Sequence, residues 1–138
     1  MNFVAGLTTV VLSAIALLHG LWALRIWWPI RDELALARAV AGFSGVKAMP
    51  PPLACAFVCI ALSIIAAATA TVVFGAQANG PKRLILWASA AVFAGRAFLG
   101  YTSFWKRLTP EAPFRRLDRT YYSPLCAFIA IGLLIALH

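Results

Sequence analysis

The stretch Leu84–Trp105, LILWASAAVFAGRAFLGYTSFW, decides the fold. It is apolar and long enough to cross a bilayer as a helix, which takes about 20 residues. One cation, Arg96, interrupts it. An arginine at that depth costs roughly 2.5–3.5 kcal/mol on insertion scales, so Arg96 is expected to face a protein interior, a partner or a ligand rather than lipid.

Three more runs of this kind flank it: Phe3 to Trp28, Leu53 to Phe74, and Arg119 to Leu137, whose apolar part opens at Tyr121. With 63% hydrophobic and only 12% charged residues, the chain has too little polar surface for a soluble domain of 138 residues. Only a helix satisfies its own backbone in lipid, and no period-two alternation points to a barrel. The expected fold is all-α: a transmembrane four-helix bundle forming one domain over residues 1–138, with spans near 3–28, 53–74, 84–105 and 119–137. The N-terminus lacks the basic opening of a cleavable signal.

The formal net charge of +8 is distributed unevenly. Arg31, Arg38 and Lys47 lie between the first two spans, and Lys106, Arg107, Arg115, Arg116 and Arg119 lie before the fourth. Only Lys82 and Arg83 occupy the connection between spans two and three. By the positive-inside rule the two basic loops are cytoplasmic and both termini periplasmic, which places the chain as a multi-pass protein of the inner membrane. The cations then orient the chain and meet anionic headgroups of the bilayer, with no call for nucleic acid. Within the first loop, Asp32 to Val40 has helical propensity, with acids first and a base later, and Gly42 and Gly45 close it. Before the fourth span, Asp118 is a candidate cap, and Ser123-Pro124 a second candidate helix start.

Helical spacing then assigns faces. Ser89, Arg96 and Ser103 recur every seven residues, with Gly100 beside them and Trp87 and Trp105 opposite. That small, polar face of the third span is expected to turn inward. His19 is the strongly polar side chain of the first span, with Trp22 on its face. His19 precedes Trp28 by nine residues, and Arg96 precedes Trp105 by nine. At a rise of 1.5 Å per residue both sit roughly 13 Å inside the cytoplasmic end. Asp118, Tyr122 and Cys126 recur every fourth residue where the fourth span enters from the same side.

These positions define a candidate ligand-binding set of His19, Trp22, Arg96, Ser103, Asp118 and Tyr122. Arg96 suits a carboxylate, phosphate or other anion because its planar fork binds such groups at two points. The opposing reading pairs Arg96 with Asp118 and gives it a structural role. His19 is the one candidate acid or base, with no catalytic motif around it. Cys55 and Cys59, four apart, and Cys126 at comparable depth lack zinc spacing, so no metal site is assigned to them. No cofactor motif is present.

The segments His19-Gly-Leu-Trp22, Gly95-Arg96, and Phe114-x-x-x-Asp118-x-x-x-Tyr122-Ser123-Pro124-Leu125-Cys126 resemble the hallmark segments of a bacterial family of small four-span integral membrane proteins of unknown function. The resemblance covers nearly the whole chain, supports the topology and implies no activity. The chain departs from it at Leu24-Arg25, where many members carry a Gly-Gly pair. Two expectations follow from residues and resemblance together. One is an intramembrane pocket at the cytoplasmic end for a lipid-like or isoprenoid-like molecule with an anionic or polar head. The other is a non-catalytic accessory or scaffold subunit working with a membrane protein partner or a second copy of the chain; a small transporter is the third and weakest.

Overall fold

Gly, Pro and one left-handed Arg determine where the apolar runs stop being helices. The computed structural model describes residues 3–138, and all its regular structure is helical. Helix α1 spans Phe3–Ala23, α2 Glu33–Val40, α3 Pro52–Val73, α4 Gly80–Leu99, α5 Ser103–Leu108 and α6 Ala112–Leu117. A π-helical turn, Asp118–Tyr122, leads without a break into α7, Ser123–Ala136.

Helices α1 and α3 end in the same way. Ile26 N–H donates to the Leu21 carbonyl and Arg25 N–H to that of Trp22; Ala76 and Gly75 repeat this pattern on Thr71 and Val72. This paired 6→1 and 5→2 closure requires a left-handed residue just past the helix. Gly75 supplies it with φ of 94°, and Arg25 with φ of 59°. A side chain in that conformation costs roughly 1–2 kcal/mol, so glycine is the residue that fits this point without strain. The first span therefore stops being helical at Ala23, not at Trp28, and its last residues fold back. The third run is also shorter as a helix. It stops at Leu99, and Thr102 opens α5 by accepting the Trp105 N–H at 3.2 Å.

The first loop folds as its sequence predicts. Asp32 caps α2 by accepting the Ala35 N–H at 2.7 Å. Gly42, with φ of 69°, closes it under the Phe114 ring, so close that any Cβ would collide with that ring. The fourth run differs from expectation. Neither Asp118 nor Ser123 is a helix start, because helix continues from Ala112 through the π turn to Ala136. The Ser123 N–H reaches back to the Asp118 carbonyl, the five-residue step of a π turn. Pro124 next along has no N–H to give. The Tyr101 hydroxyl donates to the Arg119 carbonyl at 3.2 Å, from outside the helix.

Packing joins α1 to α3 and α4 to α7, and α1 crosses α7 to unite the pairs. Leu12, Leu86, Ile129 and Leu133 are fully buried at the centre. Gly132 lets α1 approach so closely that a Cβ there would run into Thr8. A second cluster gathers Trp22, Leu36, Ala37, Met49 and Cys55 beneath α2. Outward faces are apolar too: Leu53, Phe57, Ile60 and Ile64 form an exposed stripe on α3, and Val92 and Phe98 lie exposed on α4. Three helical stretches, Phe3–Ala23, Pro52–Val73 and Ala112–Ala136, are long and apolar enough to cross a membrane. An all-helical chain with three such stretches and lipid-like outer faces is a multi-pass membrane protein.

Two stability predictions follow, both read by thermal unfolding in detergent. Arg25→Gly stabilises the protein by up to about 1 kcal/mol, since relief of the left-handed strain exceeds the glycine entropy cost. A loss instead would show that the Arg25 contacts with Trp27 at 5.6 Å and Glu33 at 3.9 Å outweigh the strain. Gly42 and Gly45 share nearly the same positive φ, but only Gly42 meets a neighbour. Gly42→Ala is therefore expected to cost more than Gly45→Ala by about 1–3 kcal/mol, the overpacking against Phe114.

Candidate functional site

Asp118 is the centre of the polar structure at the loop-rich end. It is 2% exposed, and three side chains donate to it. Arg96 Nη2 lies 2.6 Å from Oδ1, Ser123 Oγ 3.3 Å from Oδ1, and Trp105 Nε1 3.1 Å from Oδ2. The Ser123 hydroxyl also accepts from Arg96 Nη1 at 3.4 Å. The Arg96 guanidinium stacks over the Trp105 ring, 4.8 Å from its centroid. Four residues from three helices and the π turn thus close one network around a single ion pair.

Local structure explains how they meet. Arg96 lies in the last turn of α4 and Gly100 caps that helix. A side chain at Gly100 would occupy the place of the Ser123 hydroxyl and press on Asp118 and Arg96. The break after Gly100 lets α5 carry Trp105 back over Arg96. The π turn places Asp118 and Ser123 together on one side, five residues apart. An Asp buried without its cation would be costly, and breaking such a pair by removing one partner typically costs about 3–5 kcal/mol.

The other side of Arg96 faces a cavity of about 390 Å³ that opens to the surface. His19 and Trp22 of α1, Ala54, Cys55 and Val58 of α3, and Arg96, Trp105 and Phe114 form much of its wall. Val40, Ala41 and Phe43, with Met49 and Pro50, complete it from the first loop. His19 Nδ1 lies 2.8 Å from the Ile15 carbonyl, which can only accept, so Nδ1 carries the proton. In the neutral ring this leaves Nε2 as a hydrogen-bond acceptor. The Trp22 indole N–H is engaged by the Trp28 carbonyl at 2.8 Å, and its ring packs 4.9 Å from that of His19. The cavity is thus an apolar chamber with two polar groups, an imidazole and a guanidinium.

The six sequence candidates separate into three groups. His19, Trp22 and Arg96 share the cavity wall. Asp118 stands behind Arg96 and holds it. Tyr122 and Ser103 lie off the wall: the Tyr122 hydroxyl donates to the Ala39 carbonyl at 3.0 Å, tying the π turn to α2, and Ser103 is exposed at the start of α5. Ser103 leaves the Arg96 stripe because α4 ends four residues before it. The pairing of Arg96 with Asp118 and its exposure to a ligand-sized space, alternatives in the sequence, are both present. Cys55, Cys59 and Cys126 are free thiols, and among the described residues no group of three or more His, Cys, Asp or Glu side chains converges as a metal site. Spacing gave no sign of Trp105 and Phe114, because both reach the site only through the break after Gly100 and the fold of α6 over Gly42.

The coupling of Arg96 and Asp118 is measurable. Each single change to Leu is expected to lower stability by about 3 kcal/mol, and the Arg96→Leu/Asp118→Leu double variant to recover much of that loss. Additive losses in the double variant would show that the pair is not coupled.

No curated protein and no solved structure gives a significant match to the chain. The family described as "Protein of unknown function (DUF3995)" matches residues 12–133, which takes in α1 from Leu12, the whole polar network and the cavity wall. The chain accordingly belongs to the DUF3995 family of proteins of unknown function.

Proposed function

We propose that the protein is a four-span protein of a bacterial inner membrane, with its basic loops cytoplasmic and both termini periplasmic. Its cavity receives the anionic or polar head of a lipid-like or isoprenoid-like molecule, whose apolar remainder lies among or beside the helices. On this reading α4 is the third span, added to the three long apolar helices, and Arg96 lies in the membrane paired with Asp118. One observation carries the proposal: His19 and Arg96, the two costly polar groups of the apolar spans, line the same apolar chamber. Its volume of about 390 Å³ falls within the range of small-molecule sites. The α2 loop and α5–α6, which carry most of the positive charge, form its wall at one end, so the positive-inside rule supports a position at the cytoplasmic side.

The scaffold reading has its own support, because Asp118, Ser123 and Trp105 hold Arg96 with no ligand needed. A ligand titration separates the two. Purified protein is mixed with farnesol, farnesyl phosphate or oleate, and its unfolding midpoint is followed. The pocket reading expects at least one probe to stabilise the wild type, by about 2.7 kcal/mol at a hundredfold excess over its Kd. His19→Ala is expected to weaken that effect by about tenfold in Kd, one charge-assisted or strong hydrogen bond. Ala54→Trp, which fills the chamber from its wall, is expected to abolish it while leaving the ligand-free midpoint nearly unchanged. If no probe stabilises the wild type, or Ala54→Trp responds as the wild type does, the scaffold reading stands.

A further inference from the structure

We propose a second ligand site, separate from the cavity: a headgroup site for an anionic phospholipid of the surrounding bilayer, on the opposite side of the Asp118 wall. There, α5, α6 and the π turn enclose a small crevice of about 10 Å³, with Lys106, Arg115 and Arg119 around it. Trp105, Thr109 and Asp118 complete most of the lining. The space holds about one water, so a phosphate group sits at its mouth among the three cations, not inside it.

Charge makes the case. The acids at this end already have partners. Asp118 is matched by Arg96, Trp105 and Ser123, Glu111 lies 3.8 Å from Arg38, Glu33 lies 3.9 Å from Arg25, and Asp32 caps α2. Among the described residues none of the three ion pairs includes Lys106, Arg115 or Arg119. Three cations from three separate elements therefore line one crevice whose single acid, Asp118, is already matched by Arg96, and arginine binds phosphate oxygens at two points. The surroundings identify the anion as a lipid and not a dissolved phosphate. Phe104 of α5 and Tyr121 of the π turn lie exposed, as does Tyr101 just before α5, and the Tyr101 hydroxyl is fixed on the Arg119 carbonyl. Aromatic rings beside basic side chains match the headgroup layer of a membrane. The site does not depend on what the cavity binds.

The test uses native mass spectrometry of full-length protein from vesicles of phosphatidylcholine, alone or mixed with phosphatidylglycerol. Wild type is expected to retain phosphatidylglycerol in preference to phosphatidylcholine. The Lys106→Gln/Arg115→Gln/Arg119→Gln variant is expected to lose that preference by about tenfold or more. Lys82→Gln/Arg83→Gln, which removes two charges from the connection between α3 and α4, is expected to keep it. Equal retention by the triple variant, or equal loss in the Lys82/Arg83 variant, overturns the site. Retention of inorganic phosphate by wild type in phosphatidylcholine, in place of phosphatidylglycerol in the mixture, overturns the lipid assignment.

Discussion

A guanidinium inside an apolar helix has to be matched by another charge or by water, and here the match is Asp118, 2.6 Å away. Much of the loop-rich end is arranged around that requirement. Asp118 lies twenty-two residues further along the chain, so the segment between must leave α4, turn and return. Gly100 removes the side chain that would block the return, and Thr102 starts a new helix in a new direction. Trp105, carried on that helix, covers the guanidinium with its ring and completes the carboxylate with its N–H. The π turn then brings Asp118 and Ser123 to the same side of a helix that never breaks. A regular α-helix places residues five apart well over 100° from one another, so the wider turn is what makes this pairing geometrically available.

The sequence makes some of this legible and hides the rest for identifiable reasons. Apolar runs, the acid-led helix between Asp32 and Val40 and Gly42 as a stop are local signals, and each appears in the fold. The nine-residue count from His19 to Trp28 and from Arg96 to Trp105 does not describe a helical depth, because α1 stops at Ala23 and α4 at Leu99, yet the two side chains line one cavity. Gly100 was legible as a small residue on the polar face. What local signals missed are places where tertiary contact overrides propensity. Leu24-Arg25 reads as helix, yet Arg25 takes the left-handed position that Gly75 occupies openly at the end of α3. The stripe Ser89, Arg96, Ser103 is correct only as far as α4 runs. The helical continuity from Ala112 is hidden because Pro113 and Ser123-Pro124 each resemble a start. Proline in a helix interior normally breaks it, and here the π turn before Pro124 absorbs the mismatch.

Charge is divided between two environments a short distance apart. Inside, the one cation of the apolar wall shares its charge with an anion and a serine hydroxyl. Outside, Lys106, Arg115 and Arg119 line a crevice whose one acid, Asp118, is already paired with Arg96. Asp118 is the partition between the two, since it lies behind Arg96 and also lines the outer crevice. The difference matters for the kind of head each side would hold under the readings proposed above. The outer crevice suits a full negative charge near water, where several exposed cations act together.

The inner cavity suits something else. Arg96 approaches it already neutralised by Asp118, and His19 offers an acceptor through Nε2 once Nδ1 is held by the Ile15 carbonyl. Bringing a doubly charged group into an apolar chamber would require cations that its wall lacks, because Arg96 is the only Lys or Arg among the lining residues. A head that accepts from Arg96 and donates to His19 needs both an oxygen and a proton. A hydroxyl has both, and so does a singly protonated acid, whereas a fully ionised phosphate lacks the proton. The same pair that matches the charge of Arg96 within an apolar helix therefore also narrows what the cavity, as proposed, can hold.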